Sequence, residues 1–272
     1  MQYGMIIDLE RCVGCHACTI ACKAEWEVPV EFGRNWVNRL GPTIVNDEMA
    51  ATYYIGLCNH CTDPVCVPEC PADTEDVTFT DPKSGKTVTM EVAATWKDPF
   101  DGTVQIDKNR CIGCGACVDA CPYNARYVNP ALVDDVSEDG KADKCTYCKP
   151  RVDSGAIPAC VQTCITGARI FGDLDDPESE PAKLVKKGAI GIEPVDGNLG
   201  PNSRYIGKKK DMDLLFGTST PELADLNHVR RRAMLASLRR SATKTLRNVG
   251  MVGVVGSLIA AGVATSDSEK EE

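Results

Sequence analysis

Sixteen of the 272 residues are cysteines, and all of them fall into four groups of four. The groups are Cys12-x2-Cys15-x2-Cys18-x3-Cys22, Cys58-x2-Cys61-x4-Cys66-x3-Cys70, Cys111-x2-Cys114-x2-Cys117-x3-Cys121 and Cys145-x2-Cys148-x11-Cys160-x3-Cys164. Disulfides, structural zinc and iron–sulfur clusters are the chemistries that use thiols at this density. Disulfide frameworks belong to oxidising compartments and normally follow a cleavable apolar signal. The chain instead begins Met1-Gln2-Tyr3-Gly4-Met5-Ile6-Ile7-Asp8, without a basic n-region or a long apolar stretch, and reads as a short strand. Zinc favours two separated C-x2-C pairs that surround one ion tetrahedrally. Three cysteines at x2 steps make a tight loop that grips three corners of a cubane, and the x3 step sends a fourth, at a helix start, toward a neighbouring cluster. Iron and sulfur are therefore the expected chemistry, with a zinc-rich scaffold as the rival.

These groups need elements to hold them, and an internal repeat supplies the pattern. Ile7-Asp8-Leu9-Glu10-Arg11-Cys12-Val13-Gly14-Cys15-His16-Ala17-Cys18 aligns without gaps on Ile106-Asp107-Lys108-Asn109-Arg110-Cys111-Ile112-Gly113-Cys114-Gly115-Ala116-Cys117. Each copy reads as a strand, a ligand loop and the start of a helix. Gly14, Ala17, Gly113, Gly115 and Ala116 keep side chains out of the way so that backbone N–H groups can approach sulfur. Asn124-Ala125-Arg126-Tyr127-Val128 parallels Gly167-Ala168-Arg169-Ile170-Phe171 and predicts a return strand. Cys70-Pro71 and Cys121-Pro122 complete a bacterial ferredoxin signature. The expected fold class is α+β: tandem, pseudo-symmetric ferredoxin-like dicluster modules with an inserted β-hairpin and an extended C-terminal arm ending in a helix.

Composition narrows the rest. Charged residues are 25% of the chain, as in folded soluble proteins, and the net charge of −9 argues against nucleic acid as a partner. Aromatic residues are only 6%, thin for a core resting on packing alone. No nucleophile–base pair or substrate pocket is legible, so the chain alone is expected to catalyse nothing.

Four quartets in this order, with Cys58-Asn59-His60-Cys61 opening the second and the x11 gap inside the fourth, resemble the electron-transfer subunits of the molybdopterin oxidoreductases. Tetrathionate, polysulfide, thiosulfate, dimethyl sulfoxide and arsenate reductases have such subunits, as do the related menaquinone reductase (Qrc) and alternative-complex-III-type assemblies. Gly167-Ala168-Arg169-Ile170-Phe171-Gly172-Asp173-Leu174-Asp175-Asp176-Pro177 is similar to theirs too, and the likeness covers about residues 1–190. The resemblance implies four [4Fe–4S] clusters whose fourth ligands are exchanged: Cys12, Cys15, Cys18 and Cys164; Cys145, Cys148, Cys160 and Cys22; Cys58, Cys61, Cys66 and Cys121; and Cys111, Cys114, Cys117 and Cys70. Spacing alone implies a swap without saying which quartets pair. The resemblance also implies a molybdopterin-type large subunit and an integral membrane quinone-binding subunit as partners, with a multihaem cytochrome c as a further one. A freely diffusing polyferredoxin serving a hydrogenase or another soluble enzyme is the alternative.

Other signals have plainer readings. Cys12-Val13-Gly14-Cys15-His16 matches the haem-attachment motif, but both cysteines are needed by the first quartet and the repeat has Gly115 in place of His16. His60 reads as a structural hydrogen-bonding residue before a cluster-tuning one. Trp26, Trp36, Trp96 and Tyr147 read as cluster-shielding core before electron routes. Ser84-Gly85-Lys86-Thr87 resembles the end of a P-loop, yet Thr80 stands where its first glycine belongs, so a hairpin turn between Val77–Thr80 and Lys86–Met90 is expected.

The expected organisation is a cluster domain over 1–180, with an insertion at 72–103 facing a partner, then an extended arm over 181–220 and a basic, apolar and acidic tail over 221–272. Within that tail Arg230, Arg231, Arg232, Arg239, Arg240, Lys244 and Arg247 precede an uncharged run from Asn248 to Ser266. A spanning helix needs about 20 apolar residues, so this run stands at the lower limit, open to a spanning or a docked reading. Positive-inside reasoning would keep the clusters cytoplasmic. Relatives carried across the membrane folded, by a partner's twin-arginine signal, point to the outer face of the cytoplasmic membrane, which is the expectation here, with the cytoplasmic face as the alternative.

Overall fold

The computed structural model of the chain describes residues 1–129, 140–195 and 197–217. Along the chain the strands are β1 (Tyr3–Asp8), β2 (Asn35–Val45), β3 (Glu48–Leu57), β4 (Glu75–Thr80), β5 (Thr87–Val92), β6 (Thr95–Lys97), β7 (Val104–Ile106), β8 (Arg126–Val128), β9 (Ala142–Lys144), β10 (Arg169–Asp173), β11 (Ile190–Gly191) and β12 (Ser203–Ile206). The helices are short: α1 (Ala17–Trp26), α2 (Ala116–Asp119), α3 (Lys149–Asp153), α4 (Ala159–Gln162), α5 (Glu180–Lys186) and α6 (Lys209–Gly217). The mixture is α+β, as expected.

The apolar run Met5-Ile6-Ile7 in β1 is wholly buried. A strand covered on both faces belongs inside a sheet, and β1 lies in one of order β10-β1-β12-β11. It runs antiparallel to β10, with Ile6 opposite Ile170, and parallel to β12, with Ile6 opposite Arg204. The two return strands expected from the Ala-Arg repeat are β8 and β10. Their partners differ: β10 pairs with β1, whereas β8 pairs with β9 and β7 with β6.

The hairpin expected in the insertion is β4–β5, with Thr80 opposite Thr87 and Gly85 in the left-handed region (φ +69°) of its turn. A longer hairpin, β2–β3, has no counterpart in the sequence reading. Its register runs from Asn35 opposite Leu57 to Val45 opposite Glu48, shifting once between Leu40 and Thr43. Asn46 and Asp47 close it with φ of +49° and +63°, the conformation of a two-residue primed turn.

The segment expected as an extended arm has regular structure within residues 180–217. Ser179 caps α5 by accepting from the Ala182 N–H at 3.1 Å. β12 enters the central sheet, where the Tyr205 hydroxyl donates to the Ile55 carbonyl of β3 at 2.8 Å. Helix α6 lies on β2 and β3 with Leu214 and Leu215 buried. Among the described residues no helix is long and apolar enough to cross a membrane. The apolar run 248–266 and the rest of the basic and acidic tail lie outside the described residues.

Two cores form, and cysteines contribute to both. The larger joins Met5, Ile7, Ile55, Leu57, Tyr205 and Leu215 to Cys58, Cys145 and Cys160. The smaller holds little more than Cys66, Cys111 and Cys117 with Ala72, Ala94, Val104 and Ala142. Packing alone gives that second core a small apolar area, which fits the low aromatic content.

A buried ion pair ties four segments of the cluster domain. Asp143 on β9 accepts from Arg34 Nε at 2.8 Å and Nη2 at 2.9 Å, from Lys108 Nζ at 2.9 Å, and from the Tyr127 hydroxyl of β8. Burial raises the Asp143 carboxyl, but Arg34 and Lys108 outweigh it and hold the group below the usual carboxylate range. Arg34 also stacks over Trp26, 4.5 Å from the ring centroid. Breaking such a buried pair from one side costs about 3–5 kcal/mol. Asp143→Asn should therefore lower the thermal midpoint on the order of 10 °C in anaerobic melts. A midpoint within a degree of the parent's would show that the network carries no stability.

Candidate metal centres

Every quartet begins immediately after a strand or a few residues beyond one. β3 ends at Leu57 before Cys58, and β9 at Lys144 before Cys145. β1 and β7 lead by a short turn into Cys12 and Cys111, whose N–H groups bond the Asp8 and Asp107 carbonyls. The fourth cysteines stand on or just past helices or turns: Cys22 inside α1, Cys121 after α2 and Cys164 after α4.

The four loops share one backbone feature. The residue before the second cysteine is left-handed in each: Gly14 (φ +66°), His60 (φ +44°), Gly113 (φ +72°) and Tyr147 (φ +52°). This conformation turns successive backbone N–H groups toward one side, the arrangement that receives anionic sulfur. Glycine advertises it in two loops; in the other two, His60 and Tyr147 adopt it and stack on each other, centroids 3.8 Å apart. His60 is fully buried, and its Nδ1 accepts from the Val104 N–H at 2.9 Å, the structural bond expected of it. His16 is exposed at the start of α1.

None of the sixteen cysteines is paired in a disulfide. Cys12 is raised by burial, with the neighbouring Cys18 and Cys164 sulfurs raising it further. Cys22 is pushed up to about 12, by burial first and then by Cys160 and Cys148. Cys66 reaches about 11 through burial beside Cys58 and Cys121, partly offset by Arg126. Cys117 rises through burial, with Cys111 and Cys70 adding to it against Arg126. The structure thus brings Cys12 and Cys18 near Cys164, Cys22 near Cys148 and Cys160, Cys58 and Cys66 near Cys121, and Cys117 near Cys111 and Cys70. Cys15 and Cys114 are exposed.

Thiols raised in this way ionise only when something meets the charge, and the donor set fits a cluster. N–H groups point at sulfur: Ala142 to Cys111 Sγ at 3.3 Å, Tyr147 to Cys145 Sγ at 3.4 Å and Trp26 Nε1 to Cys148 Sγ at 3.2 Å. The last contact places Trp26 against a candidate ligand, more than the shielding expected of it. Lys144, fully buried, donates to the Cys145 carbonyl at 2.8 Å and to that of Val104. Among the described residues no three His, Cys, Asp or Glu side chains converge tightly enough to hold a single ion.

Comparison with known proteins decides the lineage. A family profile for the 4Fe-4S dicluster domain matches residues 49–174, and one for a 4Fe-4S binding domain matches residues 3–24. A tetrathionate reductase subunit from Salmonella typhimurium is 37% identical over 209 residues, covering 76% of this chain and 72% of that one. The chain belongs to the iron–sulfur electron-transfer subunits of the molybdopterin oxidoreductases. The putative dimethyl sulfoxide reductase iron-sulfur subunit of Halobacterium salinarum is 34% identical, covering 78% of this chain and 86% of its own. The thiosulfate reductase electron transfer subunit of Salmonella typhi is 38% identical over 65% of this chain and 79% of its own. As in this family, the chain is an electron-transfer rather than a catalytic subunit, holding 4Fe-4S clusters within a reductase complex that includes a catalytic partner.

The ligand loops differ in how much room they leave. A Cβ at Gly14 would sit 2.2 Å from the Tyr53 ring, whereas one at Gly115 would meet nothing within 4 Å. Both positions have positive φ, so alanine strains both and crowds only the first. Gly14→Ala should lose roughly one cluster, about four irons per chain, while Gly115→Ala keeps the parent content. Iron and protein assays on the two variants decide this; equal loss in both would mean that backbone strain alone governs the loops.

Proposed function

We propose that the chain relays single electrons through four [4Fe–4S] clusters, between a molybdopterin-type large subunit and a membrane quinone-interacting subunit. The observation that carries this reading is the meeting of thiols from distant quartets. Cys164 beside Cys12 and Cys18 supports a first cluster of Cys12, Cys15, Cys18 and Cys164. Cys22 beside Cys148 and Cys160 supports a second of Cys145, Cys148, Cys160 and Cys22. Cys121 beside Cys61 and Cys66 supports a third of Cys58, Cys61, Cys66 and Cys121. Cys70 beside Cys117 supports a fourth of Cys111, Cys114, Cys117 and Cys70.

The order along the wire follows from neighbours between sets. Cys160 faces Cys18, joining the second cluster to the first, and Cys145 faces Cys58, joining it to the third. Arg126 faces Cys58, Cys66 and Cys117, joining the third to the fourth. The exposed ligands Cys15 and Cys114 belong to the first and fourth sets, so the wire surfaces at its ends and is insulated in the middle. A cluster accepts one electron at a potential set by charge, hydrogen bonds to sulfur and solvent access. The polypeptide holds the spacing and excludes water.

We assign the rest of the chain accordingly: a cluster domain over 1–180 built as two related dicluster modules, 181–220 as the arm that follows it, and 221–272 as the membrane or partner-docking tail. Attachment runs through the partners and the apolar run 248–266, at the outer face of the cytoplasmic membrane, and a multihaem cytochrome c is a further partner. The basic stretch before that run is the sequence feature supporting attachment.

Metal analysis of the anaerobically purified chain should find iron and acid-labile sulfide near sixteen each, about four per cubane; about four zinc ions instead would overturn the cluster reading. Cys164→Ser should alter the paramagnetic signal of the cluster held by Cys12, Cys15 and Cys18 and spare that of Cys145, Cys148 and Cys160. The opposite pattern would mean that ligands are not exchanged. Removing Asn248–Glu272 should release the complex from membranes in fractionation, and unchanged association would favour a soluble carrier.

A further inference from the structure

The repeated Ala-Arg pair is a sequence feature that cluster ligation does not use. Its two arginines are Arg126 and Arg169, 1% and 4% exposed, each opening a return strand after the fourth cysteine of its quartet. No oxygen acceptor meets Nε, Nη1 or Nη2 of Arg169. The charges acting on its guanidinium are those of sulfurs, Cys160 first and then Cys18 and Cys145. Arg126 reaches Thr95 Oγ1 at 3.4 Å, and the charges acting on it include Cys66, Cys58, Cys117 and Cys121.

On the ligand sets proposed above, the two positions are equivalent in a way the repeat did not require. Arg169 lies near sulfurs of the first cluster (Cys18) and the second (Cys145 and Cys160). Arg126 lies near sulfurs of the third (Cys58, Cys66 and Cys121) and the fourth (Cys117). A guanidinium stays protonated at any pH the fold survives, so each dicluster pair has one fixed positive charge between its members.

We propose that Arg126 and Arg169 are electrostatic bridges, each raising the reduction potential of both clusters in its pair. Reduction adds a negative charge in a low-dielectric interior, where a buried cation near the ligand sulfurs favours it. Because one cation serves two clusters, neither can be tuned by it alone. That separates these arginines from ordinary N–H donors such as Trp26, which meets one sulfur.

The inference rests on the proposed ligand sets, and the test separates the two. Arg169→Gln and Arg126→Gln, prepared anaerobically in the whole complex, are titrated electrochemically with paramagnetic resonance on each cluster. Each substitution should shift two clusters toward more negative potential, by about tenfold in the one-electron equilibrium or about 59 mV, and leave the other two unmoved. Should a glutamine variant lose iron, the matching lysine variant keeps the charge. Retained iron with near-parent potentials in lysine supports the bridge; iron loss in both makes the arginine purely structural and overturns it. Full iron content with all four potentials unchanged overturns it too. If the ligand sets were wrong but the bridge real, two clusters would still move together, and the Cys164→Ser signal would identify a different pair.

Discussion

The fold is governed by the need to keep sulfur charge inside a protein interior. Burial first, and then neighbouring sulfurs, drive Cys145, Cys61 and Cys22 far from ionisation, yet only the thiolate ligates iron. Something must meet that charge at every centre. Iron would meet that charge when bound, and the chain itself sets N–H groups against sulfur and buries the basic side chains of Arg126, Arg169 and Lys144 nearby. Uncompensated, a single buried charge costs several kcal/mol, comparable to the whole stability margin of an ordinary domain. This explains why so few aromatic residues suffice: in the smaller core, cysteine, alanine and valine surround what the clusters themselves fill.

The same constraint explains which parts of the structure could be read from the sequence. Cysteine spacing is dictated by cubane geometry, so the quartets stand out whatever surrounds them, and their flanking strands follow from the repeat. Gly85 and the alternating Thr and Val around it made β4–β5 readable. β2–β3 was not, because most of its outer half is exposed and Gly41-Pro42 interrupts the alternation. β12 has only four residues between Gly- and Pro-rich flanks, and its strand character comes from lying beside β1 rather than from local preference. The left-handed backbone at His60 and Tyr147 carries no glycine to mark it; only alignment of all four loops on their second cysteines exposes the shared conformation.

The position of β12 changes the meaning of the segment that follows the last cysteine. Tyr205 crosses from the central sheet to the β2–β3 hairpin, and Asn202 donates to the His60 carbonyl at 2.8 Å. Residues far from any ligand in sequence thus brace the second quartet's loop from behind. Helix α6 extends this by covering β2 and β3. The described residues from 175 to 217 work as part of the scaffold, fixing ligand loops to one another.

Along the sequence the first and last quartets flank the second and third, and the pairing of β1 with β10 closes the outer pair in space. That closure spans most of the cluster domain, yet loop entropy rises only slowly with length, so a short sheet with three wholly buried residues can sustain it. On the proposed ligand sets, exchange of fourth cysteines across the same closure makes clusters and fold mutually dependent: strands bring the thiols together, and the inorganic core supplies the cross-link that a sparse apolar interior lacks. A fold of this kind has little reason to be stable without its cofactors, because the groups that position the wire are held in turn by it.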